Sequence, residues 1–437
     1  MIKEIIYEYW EKELPEVIER NLKIDSSDLI SDIVGIRRCG KTFLMFDEIK
    51  KILKKTDKKS TIYINFENRK LFPLKKEYFN EIIEFIYSEE LLEKGKVYLF
   101  LDEIQRISGW EKFIRSIYDE FKGKIKIFVS GSSANLLSKE YGSLLTGRHI
   151  TTTLMPLSFK EFLNFKNYEL PKVVTEKEKT KIKKFFNEYI KFGGFPEVVL
   201  SKNKEQILNQ LFSDIISRDI LGRAVRKENI LEEFAHYLAG NVTSLLSFNK
   251  MANYFKSRGV KVSVQTLENY FWLIKNSFLF FDNLIFSYKI KNQLQNPKKI
   301  YCIDNGIINL IGFKFSRDYG KLYENTVFLE LKRKHINNAS ASIFYWQNPR
   351  HEEVDFVLKE GLKIKQLIQV CCDISDLETK EREIRALLKA SKELKCKNLL
   401  MITGDYEAEE KAEWFGLKGK IVFMPLWRAL LSDKLLG

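Results

Sequence analysis

Between residues 31 and 153 short apolar runs alternate with amphipathic segments. SDIVGI (31–36) leads into a helical pattern from Lys41 through the early fifties, then TIYINFEN (61–68), a helix around 78–92, KVYLFLDE (96–103), a helix over 110–121 and KIKIFVSGSS (124–133). Apolar strands alternating with amphipathic helices predict an α/β layer with a largely parallel sheet. From 157 to 235 the strand signal fades and the chain reads as a helical, lid-like region interrupted by GGFP at 193–196. Next come two amphipathic helices, SFNKMANYFKSRG and SVQTLENYFWLIKNS, separated by Gly259 and a short KVSV link and followed by the strand-like FLFFDNLIFSY. Helix, tight turn, helix, hairpin is the order of a winged helix-turn-helix. Ser263, with Gln265 and Thr266 behind it, is the expected N-cap of the second helix. QNPKK (295–299) punctuates the chain before a last α/β unit with strands IFYWQ, EVDFVL, LIQVC, NLLMIT and KIVFMPL. The expected division is 1–156, 157–235, 236–292 and 293–437.

The length of 437 residues fits two to four domains at about 150 residues each. Apolar residues make up 45% of the chain, enough for globular cores. Lys+Arg 73 against Asp+Glu 59 leaves a net charge of +14, which permits phosphate neutralisation on a nucleic acid. Lysine is spread through nearly every helix, so solvated helix faces account for the same excess. The first 20 residues mix charged with apolar positions and lack the apolar core of a secretory signal. No apolar run approaches the ~18 residues of a membrane span. Cys39, Cys302, Cys371, Cys372 and Cys396 show no paired zinc spacing, and an odd count argues against a disulfide framework. A reduced, cytoplasmic protein is expected.

Gly35-Ile36-Arg37-Arg38-Cys39-Gly40-Lys41-Thr42 fits G-x-x-x-x-G-K-[ST], after a strand and before a helix as that motif requires. Such a loop turns successive backbone N–H groups inward around phosphates, and the helix N-terminus adds donors. Lys41 is expected to reach the β and γ phosphates of ATP, and Thr42 to hold Mg²⁺. The strand KVYLFLDE delivers Asp102 and Glu103 to its carboxyl end, Asp102 toward Mg²⁺ and Glu103 toward the attacking water. Taken alone, DE after a strand is also an ordinary acidic helix cap. Ser130 and Ser132, at the end of the next strand, either touch the γ phosphate or the water, or merely close a turn. Arg148 is a candidate charge stabiliser, in trans if subunits assemble and in cis otherwise; a surface ion pair explains a lone arginine equally well.

GIRRCGKT, YLFLDEIQRISGWEKFIRSIYD, VSGSSANLL, LTGRHITTTLMPLSFKEFL, GGFPEVV and the SRDI segment, in that order, resemble the archaeal and bacterial AAA+ ATPases of the AAA_14 plus DUF4143 type over nearly the whole chain. The resemblance implies a P-loop ATPase core, a helical lid, a winged helix and a C-terminal domain like a restriction endonuclease. It makes Arg218, in SRDI, a candidate nucleotide sensor, with an ion pair to Asp214 or Asp219 as the plain alternative.

A nuclease of that kind needs acids around divalent ions and a lysine near the attacking water. Glu324, with Glu330 one and a half turns later, and Asp355 supply acids. Gln369 and Cys371, two apart on one strand face, stand where a third acid and the lysine are expected, so the site reads as degenerate. Lys363 and Lys365 share that parity, and Cys371 also suits a core position. The leading expectation is therefore an Mg²⁺-dependent ATPase whose nucleotide state moves the lid and winged helix on duplex DNA, with Gln265, Asn269 and Lys275 as groove contacts. Its alternatives are a nucleotide-controlled signalling protein that binds a protein partner or itself, and an ATP-dependent nuclease.

Overall fold

The four apolar runs of the first third become parallel strands, and a fifth, more polar strand joins them. They are β1 (Ile30–Val34), β2 (Thr61–Asn65), β3 (Val97–Asp102), β4 (Ile125–Gly131) and β5 (His149–Thr153), hydrogen-bonded in the order β2-β3-β4-β1-β5. Every residue of β1 and β4 is buried, as expected of parallel strands covered on both faces. The computed structural model describes residues 1–132, 145, 147–220, 228–312, 319–336, 338 and 340–432. The chain divides into one unit of Met1–Met155 with Asn276–Phe278 and a second of Pro156–Lys275 with Leu279–Gly437.

In the first unit the helices are α1 (Ile2–Glu11), α2 (Lys41–Leu53), α3 (Tyr78–Ser88), α4 (Leu91–Lys94) and α5 (Trp110–Glu120). The sequence reading passed over α1, although Ile2, Ile5, Ile6 and Tyr9 follow helical spacing and are all buried. It also passed over β5, because HITTT has one strongly apolar residue. That strand is held instead by polar partners, with His149 Nδ1 and Thr151 Oγ1 meeting the fully buried Asp32 carboxylate of β1 at 2.5 and 3.2 Å.

The second unit begins with helices α6 (Phe159–Phe165), α7 (Glu176–Phe192), α8 (Pro196–Leu200), α9 (Lys204–Asp214), which runs into a wider turn at Ile215–Ile220, and α10 (Glu228–Gly240). The expected helix pair follows as α11 (Phe248–Ser257) and α12 (Val264–Asn276), and Ser263 Oγ accepts from Thr266 N at 3.1 Å as an N-cap. The remaining helices are α13 (Ile290–Gln295), α14 (Asn305–Ile311), α15 (Tyr319–His335), α16 (Leu377–Leu394) and α17 (Leu426–Ala429).

One mixed sheet joins these pieces. Its strands are β6 (Leu245–Leu246), β7 (Phe280–Ile285), β8 (Lys298–Cys302), β9 (Ala341–Gln347), β10 (Glu353–Glu360), β11 (Lys363–Val370), β12 (Leu399–Thr403), β13 (Ala408–Trp414) and β14 (Leu417–Pro425). The order is β13-β14-β12-β11-β10-β9-β7-β8-β6, so the expected hairpin after α12 continues into the last α/β unit through β7 and β9, with Leu284 beside Phe344. Behind the sheet, Ala386, Leu387, Leu388 and Leu394 of α16 share a core with Val357, Leu367, Met401 and Phe423.

The GGFP turn also finds its reason here. Asp304 Oδ2 accepts from Gly194 N at 2.6 Å, and a Cβ on Gly193, whose φ is +75°, would fall 1.7 Å from Asp304 Oδ1. Only glycine lets the turn sit against that buried carboxylate. Among the described residues no helix is long and apolar enough to cross a membrane.

Candidate functional site

The strand order places the ends of β3, β4 and β1 side by side at the carboxyl edge of the first sheet. That edge is where open parallel sheets collect their ligands. β1 runs into the loop of residues 35–40, which α2 continues. Gly35 passes so near the strand's exit that a Cβ there would lie 2.2 Å from the Leu154 carbonyl oxygen. Gly40, at φ +101°, is the N-cap of α2. Both glycines are thus required by geometry, one by close approach and one by a left-handed backbone.

Within this loop Lys41 is buried. Its ammonium donates to the Gly35 and Ile36 carbonyls at 3.2 and 3.3 Å and lies 3.5 Å from Glu103 Oε1. Thr42 Oγ1 donates to Asp102 Oδ2 at 2.7 Å. Ser130 Oγ donates to the other oxygen of Asp102 and accepts from Glu103 N at 3.1 Å. Lys41, Thr42, Asp102, Glu103 and Ser130, named from the sequence, therefore form one connected cluster. Thr42 and Asp102 offer adjacent hard oxygens, a donor set that suits Mg²⁺.

The two acids differ in electrostatic state. Burial, and next the negative charge of Glu103, push the Asp102 carboxyl above its ordinary range, against the pull of its three hydroxyl donors. Burial also acts upward on Glu103, but Lys41, Gln105, Arg37 and Arg106 outweigh it and hold Glu103 below the ordinary range. The neighbouring cations thus favour the ionised form of Glu103.

Several residues of the cluster escaped the sequence reading. Tyr63, the central residue of β2, donates to Asp102 Oδ2 at 2.9 Å, with its ring 4.9 Å from Phe46 of α2. Gln105 Nε2 donates to Glu103 Oε2 at 2.6 Å. Glu67 faces Arg37 at 3.6 Å and pairs with Arg106. Buried Arg20 donates to the Cys39 carbonyl at 3.0 Å and the Met155 carbonyl at 2.9 Å, tying the phosphate loop to the end of the strand beside it. Tyr63, inside a predicted strand, reads in the sequence as an ordinary strand aromatic, and Arg20, in an irregular segment, carries no signal either.

The sequence also named two arginines. Arg148 immediately precedes β5, and its carbonyl accepts from Ile30 N, so it lies at the amino edge of the sheet, opposite the phosphate loop. Its guanidinium meets Asp119 at 2.9 Å. The reading of Arg148 as a charge stabiliser in cis is therefore corrected, because the length of β1 separates it from Lys41. Arg218 belongs to the second unit, is exposed, and faces Asp214 at 3.8 Å, the plain alternative named for it. Residues 133–137 of the VSGSSANLL stretch lie outside the described residues, as does residue 146 of LTGRH.

The nuclease-like positions gather in the second unit. Glu324 of α15 and Asp355 of β10 converge, and Gln369 of β11 accepts from Asp355 N at 3.2 Å while donating to Glu383 at 2.7 Å. Cys371 is buried in the core behind the sheet, with its thiol pushed up to about 12 by burial. Lys363 is exposed and Lys365 pairs with Glu360, so neither fills the place of the missing charge. A lysine does reach the acids, but from β8. Lys299 Nζ lies 2.8 Å from both Glu324 Oε1 and Asp355 Oδ1 and 2.5 Å from Glu353 Oε1.

Three family models match along the chain: an AAA domain over residues 27–163, a domain of unknown function (DUF8612) over 183–317 and another (DUF4143) over 319–427. Among solved structures, a Walker-type ATPase of Pyrococcus abyssi is 14% identical, with a TM-score of 0.41 over 64% of this chain and 90% of that one. The Orc1 protein of Aeropyrum pernix in complex with DNA is 11% identical, with a TM-score of 0.31 over 74% of this chain and 90% of that one. An uncharacterized protein of Haemophilus influenzae is 30% identical, covering 82% of this chain and 86% of its own. The uncharacterized protein MJ1544 of Methanocaldococcus jannaschii is 36% identical, covering 95% of this chain and 92% of its own. Relatedness of that degree along almost the full length, with the AAA and DUF4143 matches in the order that the motifs suggested, makes this chain a member of the AAA_14 plus DUF4143 family of ATPases.

Proposed function

We propose that the chain is an Mg²⁺-dependent ATPase whose nucleotide state is coupled to its helical lid and helix pair, and that it works on duplex DNA. The observation that carries the ATPase reading is the joining of Lys41 to Glu103 at 3.5 Å beside Thr42 and Asp102 at 2.7 Å. The N–H groups of the phosphate loop and of the first turn of α2 take the phosphates, and Lys41 exchanges Glu103 for the β and γ oxygens. Thr42 and Asp102 would hold Mg²⁺, which when bound neutralises charge on the phosphate oxygens. Glu103, released from Lys41, orients the attacking water and receives its proton. Ser130 fixes Asp102 and the Glu103 backbone, a positioning role that occupies its hydroxyl.

Support for DNA is the net charge of +14 and the exposed polar Gln265 and Asn269 on α12. Lys275, the third contact named from the sequence, is tied to Asp282 at 2.5 Å. A protein partner is favoured by the other exposed residues of that helix, Glu268 and Trp272, an acid and an aromatic that suit a protein surface better than phosphates. ATP hydrolysis measured with and without duplex DNA, with the same reactions run on a gel for cleavage, separates the readings. Hydrolysis stimulated by DNA without cleavage supports the first; hydrolysis indifferent to DNA supports a protein partner.

A further inference from the structure

Lys298 and Lys299, read from sequence as the end of the punctuating QNPKK, open strand β8, and the two face opposite ways as strand neighbours must. Lys298 is half-buried and pairs with Asp282 at 3.2 Å. Lys299 is buried, and its ammonium meets Glu324, Glu353 and Asp355 on three sides. We propose that this acidic centre is a cation site whose permanent cation is Lys299, so that in the native chain it takes no divalent metal and cleaves no phosphodiester.

Donor arithmetic supports this reading. An ammonium has three N–H donors and no acceptor, and each donor here finds a different carboxylate. A divalent ion would need Glu324 Oε1, Glu353 Oε1 and Asp355 Oδ1, the oxygens that already surround Nζ. It would also be repelled by a positive charge held on the backbone of a paired strand. Two further donors of the protein bind these carboxylates. Tyr301 donates to Glu324 Oε1 at 2.8 Å, and Val370 N donates to Asp355 Oδ2 at 2.9 Å. Gln369 is a neutral amide that links the Asp355 backbone to the Glu383 carboxylate. Burial would lower the Lys299 pKa, but the surrounding carboxylates, Asp355 and Glu324 first, outweigh it and hold the ammonium well above its ordinary range. The charge that Cys371 does not supply is thus present, but it stands at the metal's own position.

Mn²⁺ provides the probe, counted by electron paramagnetic resonance on the full chain. Wild type and Asp355→Asn are expected to bind the same number of ions. Lys299→Ala should gain one ion that Lys299→Ala with Asp355→Asn does not bind. A wild-type Mn²⁺ site abolished by Asp355→Asn overturns the proposal, as does a folded Lys299→Ala that gains none. If Lys299→Ala is unfolded by circular dichroism, restoration of a cooperative melt by Mn²⁺ supports the proposal and failure to restore it counts against it.

Discussion

The Lys41 ammonium lies 3.5 Å from the Glu103 carboxylate, so the charge proposed to bind phosphate and the charge proposed to orient water are each other's counter-ions. ATP chemistry requires them to part, and the γ phosphate is the group that can take Lys41 away. Lys41→Ala removes the charge-assisted contacts to phosphate, at about 1.5–3 kcal/mol or roughly a 10- to 150-fold loss of affinity. Titration with a fluorescent ATP analogue checks this, and wild-type affinity in the variant would refute the phosphate-loop assignment.

Glu103→Gln keeps the shape and the Gln105 contact but loses the base. Hydrolysis should fall by about 10²–10⁴-fold while ATP binding persists, because Thr42, Asp102 and Lys41 are untouched. Single-turnover kinetics on pre-bound ATP read the chemical step directly. A variant that turns over like wild type removes Glu103 from the mechanism.

Tyr63→Phe retains the ring against Phe46 and deletes one of the three hydroxyl donors to Asp102. Those donors favour the ionised form, so losing one raises the Asp102 pKa further and leaves more of it protonated at any given pH. The acid limb of the pH–rate profile should therefore move to higher pH, by about one unit for a hydrogen bond worth about 1.4 kcal/mol. More Mg²⁺ should be needed for half-maximal rate at low pH. An acid limb that stays in place would show that Tyr63 serves packing alone.

Gly193→Ala sets a methyl group against Asp304 at a left-handed backbone position. The variant should lose about 2 kcal/mol of stability or more, from strain at φ +75° and the displaced carboxylate together. Urea denaturation of the full chain reports it as a lowered midpoint. An unchanged midpoint would mean that the Asp304 contact is not a constraint on this turn.

Where a physical pattern is local, the sequence carried it. The phosphate loop, the strand that ends in Asp102 and Glu103, and the α12 cap at Ser263 each rest on neighbours within a few residues. Long-range partnerships left no such trace. Tyr63 meets Asp102 from another strand, Arg20 reaches the loop from an irregular segment, and Lys299 enters the acids from β8 rather than from β11, where the missing charge was sought. The cis reading of Arg148 failed for the same reason in reverse, since its motif neighbours do not reveal which end of β1 it borders.

The hydrogen bonding of β7 to β9 has a practical side for anyone dividing the chain. A fragment beginning at residue 293 would lack β7 and present the bare amide edge of β9, a template for strand addition by other copies. A fragment ending at 292 would lose β8 and carry an unpaired β7 at its terminus. Proteases should likewise find no efficient cut that releases a hairpin free of the last nine-strand layer. The compact unit that holds all of these strands begins at Pro156, and protein made from there is the one to crystallise or label.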